Sequence, residues 1–98
     1  MNKKYLSIVR KIGKLYGYKG IQLSTNPKYK LMIQHENKFI HFGSRANSDF
    51  ILYMLNGEKE KAMKMRNAYL KRTEKIKGNW KENDFSKNNL SRRIIWIE

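Results

Sequence analysis

The sequence predicts an α+β domain: an N-terminal amphipathic helix, a small antiparallel β-hairpin or three-stranded meander, and then two to three helices. Three stretches carry the prediction. Residues 3–16 repeat apolar side chains at helical spacing, residues 29–43 alternate apolar and polar on either side of Glu36-Asn37, and residues 58–77 return to spacings of three and four. With 98 residues, 40% of them hydrophobic and including two Trp, six Tyr and four Phe, the chain is long and apolar enough for one modest core, so 1–98 reads as a single domain.

In the first helix Tyr5, Ile8, Val9, Ile12, Leu15 and Tyr16 share one face. Lys3, Ser7, Arg10 and Lys14 form the opposite row, flanked by Lys4 and Lys11, and Gly17 is placed to end the helix. Ile21-Gln22-Leu23 reads as a short strand ahead of the hairpin. Its turn is Ser24-Thr25-Asn26-Pro27, because proline restricts its predecessor to extended geometry and cannot donate to a ladder. Folding 29–43 at Glu36-Asn37 sets His35 against Lys38, Gln34 against Phe39, Ile33 against Ile40, Met32 against His41 and Leu31 against Phe42. Leu31, Ile33, Ile40 and Phe42 then share a face, and a slip of one residue would split them. The first helix is expected to cover that face. The other face carries Met32, Gln34, Phe39 and His41, with Lys30 and Lys38 near its ends, a set that could stack bases between cations.

Ser48 is positioned to cap a short apolar helix that Asn56-Gly57 ends. The helix expected over 58–77 opens with Glu58 and Glu60 and closes with Lys71, Arg72, Lys75 and Lys77, the order the helix dipole favours. Its Met63 and Met65 read as core filler. In the polar stretch 79–89, Trp80 and Phe85 are expected to pin a loop to the body. Asn88 or Asn89 would cap a last short helix with Leu90, Ile94 and Ile97 on one side and Arg92 and Arg93 on the other; Trp96 is read as buried.

Charge is the strongest compositional feature. Twenty-two Lys and Arg face eight Asp and Glu, a net charge of +14, which favours a polyanionic partner. Sixteen Lys and ten Asn could reflect an AT-rich genome, but that bias does not account for the shortage of acids. Cysteine is absent, so thiolate metal sites and disulfides are excluded. The basic N-terminal stretch has no continuous apolar core of the secretory type, so no signal peptide is expected. His35 and His41 fall on opposite faces of the hairpin, and no nucleotide-type glycine loop or nucleophile motif is present. No metal, cofactor or catalytic residue is therefore assigned; a nuclease built from Arg45, His41 and Asp49 is conceivable on so basic a chain but nothing in the pattern singles it out.

The ordered segments Lys28 to Ile33, His41-Phe42-Gly43, Asp49-Phe50, Arg66 to Arg72, Ile76 to Trp80, Asn88 to Ser91 and Ile94-Ile95-Trp96 resemble a family of small basic proteins of unknown function from giant nucleocytoplasmic DNA viruses. The chain departs from that pattern at Ala46-Asn47, where Gly-Tyr is frequent, and at Lys87, where Pro is frequent. The resemblance implies a virus-encoded protein of the virion or virus factory, with no activity to carry over. The leading functional expectation is a non-specific nucleic-acid binder, DNA or RNA, acting through Arg10, Lys14, Lys30, Lys38, Arg45, Arg92 and Arg93, with Phe39 as a stacker. The alternative is a minor capsid or scaffold protein that cements acidic protein surfaces; attachment to a membrane surface through 3–16 ranks third.

Overall fold

The computed structural model describes residues 3–98. Helix α1 (Lys3–Leu15) leads into β1 (Gln22–Leu23), β2 (Tyr29–His35) and β3 (Lys38–Ser44), and then into α2 (Phe50–Leu55) and α3 (Lys59–Glu74). A 3-10 turn at Trp80–Glu82, a four-residue helix α4 (Lys87–Leu90) and a π-helical turn at Ser91–Ile95 close the described chain. The strands form one antiparallel sheet in the order β1-β2-β3, with the hairpin paired in the register the hydrophobic pattern requires, from Leu31 opposite Phe42 to His35 opposite Lys38. Both turn residues are left-handed, Glu36 at φ 51° and Asn37 at 65°, the geometry that matches a two-residue loop to the twist of its strands.

One core gathers Tyr5 and Val9 of α1, Tyr18, Ile21, Leu31, Ile33, Phe42, Ile51 and the C-terminal Leu90, Ile94, Ile95 and Trp96. Four consecutive residues of β2, Lys30 to Ile33, are buried. Side chains alternate across a strand, so this end of the sheet is covered on both faces. The covering elements differ from expectation. α1 packs chiefly on α2 and the π-turn, while α4 and the π-turn lie against β3. The C-terminal segment takes the sheet because Leu90, Ile94 and Ile95 are all apolar and fully or almost fully buried.

Two glycines permit close approaches. A Cβ on Gly13 would stand 2.5 Å from Ile21 Cδ1, so any side chain there would force the end of Ile21 to move. Gly43 sits inside β3 at φ +78°, where a side chain would be strained and would meet Ile95 Cδ1 at 3.1 Å.

Several local expectations are corrected. Asp49, not Ser48, caps α2: its backbone is extended and its Oδ1 accepts from the Leu52 amide at 2.9 Å. Ser86, not Asn88 or Asn89, caps α4, and Asn89 instead donates its side-chain amide to the Trp80 and Asn83 carbonyls. Helix α3 stops at Glu74, short of the expected Lys77. Met63 and Met65 are 44% and 37% exposed and so do not fill the core, because α3 turns only Ala62 and Thr73 fully inward. Leu15, on the predicted apolar face of α1, is 85% exposed, because the buried stripe runs through Tyr5, Val9 and Gly13 and Leu15 stands well round the helix from it. Phe85 pins its loop as expected, stacking on His35 with ring centres 3.7 Å apart.

Candidate nucleic-acid interface

The residues expected to contact phosphate fall into separate environments. Lys30 is 1% exposed, and its Nζ lies 2.9 Å from Asp49 Oδ2, which also accepts from the Tyr5 hydroxyl at 2.7 Å. A buried cation survives only when paired and hydrogen-bonded. Lys30 is therefore a structural charge and is withdrawn from the footprint. Burial beside the Asp49 carboxylate also pushes the Tyr5 hydroxyl pKa far up. Asp49 is fully buried and bonded, and His41 Nδ1 lies 2.7 Å from Ser24 Oγ, so these two are engaged with different partners.

Arg92 is corrected for the same reason. It is 4% exposed, and its guanidinium binds the Leu70 carbonyl at 2.7 Å, Thr73 Oγ1 at 2.6 Å, Glu74 at 3.0 Å and the Glu98 carboxylate. Arg93 is half-buried and bonded through Nη1 to the Tyr18 hydroxyl and Asp84 Oδ1. Both arginines act as cross-links between the C-terminal segment and the body.

The cations of α1 are different. Lys3, Lys4, Arg10, Lys11 and Lys14 are all exposed, as is Lys19 just beyond. Where Lys or Arg pairs with a carboxylate, the partners are Lys30–Asp49, Lys61–Glu58, Lys81–Glu74, Arg92 with Glu74 and Glu98, and Arg93–Asp84. Among the described residues no α1 cation is paired. The sequence explains this, since no Asp or Glu precedes Glu36. Arg10 is also held in place: its Nε donates to the Ile21 carbonyl at 2.9 Å while the residue stays exposed. Lys3, Ser7, Arg10 and Lys14 line one shallow groove along the helix, and Arg10 and Lys14 share a second with Lys19 and Gly20.

Lys19 and Gly20 then connect this ridge to the sheet, where they border a shallow depression with Gln22, Gln34 and the hairpin turn. Phe39 stands directly across from Gln34 and is 45% exposed; Lys38 beside it is exposed as well. Arg10, Lys14 and Lys19 therefore lead from α1 to the sheet, where Phe39 shares a face with Gln34 and Lys38 shares the opposite face with His35. Arg45 lies at the other end of the hairpin, its Nε bonded to the Tyr29 carbonyl at 3.2 Å. There Lys87 donates to the Tyr29 hydroxyl at 2.8 Å, and that hydrogen bond, helped by the charges of Lys87 and Lys28, lowers the Tyr29 pKa.

Sequence reasoning missed Lys19, which joins the helix to the sheet. The signal was the acid-free run from residue 1 to 35, which contains every cation of this ridge. Among the described residues there is no group of three His, Cys, Asp or Glu that could hold a metal, and no helix long and apolar enough to cross a membrane. No family model, curated protein or solved structure matches this chain.

Proposed function

We propose that the protein binds nucleic acid through phosphate contacts, with little base specificity, along α1 and across Lys19 to the hairpin. The observation that carries the reading is the cationic face of α1, paired with no carboxylate among the described residues, held on a packed body and continuing through Lys19 to Gln22 and Gln34 at the sheet. From Lys3 to Lys14 the row runs about 16 Å at 1.5 Å per residue. A duplex presents about ten phosphate charges over that length, so the row can meet several without bending. Phe39 would add stacking for an unpaired base. The giant-virus resemblance supports a setting in the virion or virus factory, where nucleic acid is abundant.

Gel-shift titration with duplex DNA, single-stranded DNA and RNA at 50 and 200 mM salt tests the reading. About five phosphate contacts give a slope of about −4.5 in log affinity against log salt for duplex, a loss of roughly 500-fold between the two conditions. Each of R10Q and K14Q should flatten the slope by about one contact. A salt-independent affinity, or a slope unchanged in R10Q/K14Q, would end the proposal. The cementing alternative relied partly on Trp96 at an interface, and at 7% exposure that side chain offers a partner no anchor.

A further inference from the structure

A cleft of about 310 Å³ opens between the end of β3 and the helical layer. It lies apart from the α1 ridge: no residue of α1 lines it, and neither does any carboxylate. Its volume falls at the lower end of the range of small-ligand sites, roughly 300–1,000 Å³, which admits one small ligand and not a helix or strand. Small residues keep it open. Ser44 and Ala68 are among its small lining residues, and Gly43 leaves room for Ile95, whose Cδ1 would stand 3.1 Å from a Cβ there.

The lining has two chemistries. On one side Met65, Ala68 and Ile95 are apolar, next to Tyr69 stacked on Trp96 with ring centres 4.5 Å apart and planes 13° from parallel. The polar lining is Ser44, Asn47 and Ser91: Asn47 Nδ2 donates to Ser44 Oγ at 3.3 Å, and the Ser91 side chain hydrogen-bonds the Tyr69 hydroxyl. Between them stands Arg72, exposed, its guanidinium 5.5 Å from the centre of the Tyr69 ring and paired with no carboxylate among the described residues. An arginine held over an aromatic ring beside hydroxyl donors, with its fork unpaired, is equipped to take a phosphate and to stack on a planar group at once.

We propose that this cleft seats a single nucleotide, its base against the Met65–Ala68 side and its phosphate toward Arg72 and the Ser44–Asn47 rim. The inference deepens the nucleic-acid reading, because the nucleotide would be an unstacked or terminal unit of the bound strand, while the cleft itself can be tested with free nucleotides.

The experiment follows backbone amide chemical shifts of the full chain during titration with AMP, UMP, ribose 5-phosphate and inorganic phosphate. The expected result is saturable shifts at Ser44, Asn47 and Ser91 with AMP or UMP, at affinities at least tenfold above those of the two base-free probes. R72Q should weaken nucleotide binding about tenfold, and A68F should abolish it. Both positions are exposed, so both variants are expected to keep the wild-type spectrum elsewhere, and R72Q carries the test if A68F perturbs the fold. R10Q/K14Q should leave nucleotide binding intact while flattening the salt dependence of duplex binding. Failure of duplex binding with nucleotide binding intact would remove the α1 reading and leave the cleft standing. No saturable shift with either nucleotide, inorganic phosphate matching AMP, or undiminished binding in both A68F and R72Q would overturn the proposal.

Discussion

Replacing Lys30 by Met tests whether the buried cation is structural. The substitution keeps an unbranched side chain of similar length and deletes only the ammonium. Asp49 would then remain fully buried with its Tyr5 and Leu52 hydrogen bonds but no counter-charge. Removing one partner of a buried ion pair typically costs about 3–5 kcal/mol, because the surviving charge is left desolvated. A domain of this size is stable by about 5–15 kcal/mol, so K30M should lose a large fraction of the total. With a urea dependence of about 2 kcal/mol per molar, the unfolding midpoint should fall by about 2 M. Asn at position 49 still caps α2 through its Oδ1, and its Nδ2 can donate to the Tyr5 hydroxyl oxygen in place of the lost acceptor. The double variant K30M/D49N should therefore be at least about 1.5 kcal/mol more stable than K30M alone. A loss below about 1 kcal/mol in K30M, or a double variant no more stable than the single, would refute the reasoning.

Three further predictions use the same unfolding assay. R92K cannot reproduce the guanidinium fork that joins Leu70, Thr73, Glu74 and Glu98, and should lose about 2–4 kcal/mol while leaving the salt slope of nucleic-acid binding unchanged. G13A should be destabilised by about 1–2 kcal/mol through overpacking against Ile21; adding I21V, which removes the clashing Cδ1, should restore part of the loss although it deletes a methyl group. For Tyr5, burial raises the folded pKa above the unfolded value near 10, so its contribution is fully present below pH 10 and is lost as pH rises beyond it. Stability measured from pH 9 to 11.5 should fall in the wild type with a component of about 1.4 kcal/mol per pH unit that is absent in Y5F.

The hairpin was legible because a two-residue period and a two-residue turn leave one register, and that register is observed down to each cross-strand pair. The exposed cations of α1 were legible for a similar reason: periodicity alone assigns them to the outer face. Lys30 was not, since alternation put it on the open side of a sheet whose two faces are in fact both covered, and its partner is a helix cap nineteen residues on. A lone cation inside an apolar strand, with one acid among the few available at a later helix start, was the available signal. Arg92 was missed because the expected helix winds instead as a π-turn, shown by the Trp96 amide bonding the Ser91 carbonyl five residues back, which shifts every side chain's bearing. The cleft was illegible altogether: Ser44, Arg72 and Ser91 belong to different elements, and only tertiary packing brings them together.

The last residues of the chain clasp the first. Tyr16 of the N-terminal segment donates to the Glu98 carbonyl, Arg66 grips the Trp96 and Ile97 carbonyls, and Ile97 is held at φ 51°, a backbone state costly for a branched side chain. The inner face of α1 thus rests on partners far apart along the sequence, α2 and the C-terminal π-turn together, and contacts of such long sequence separation are slow to form. A synthetic copy of α1 alone would lack those partners and would not report how the folded domain presents its charge.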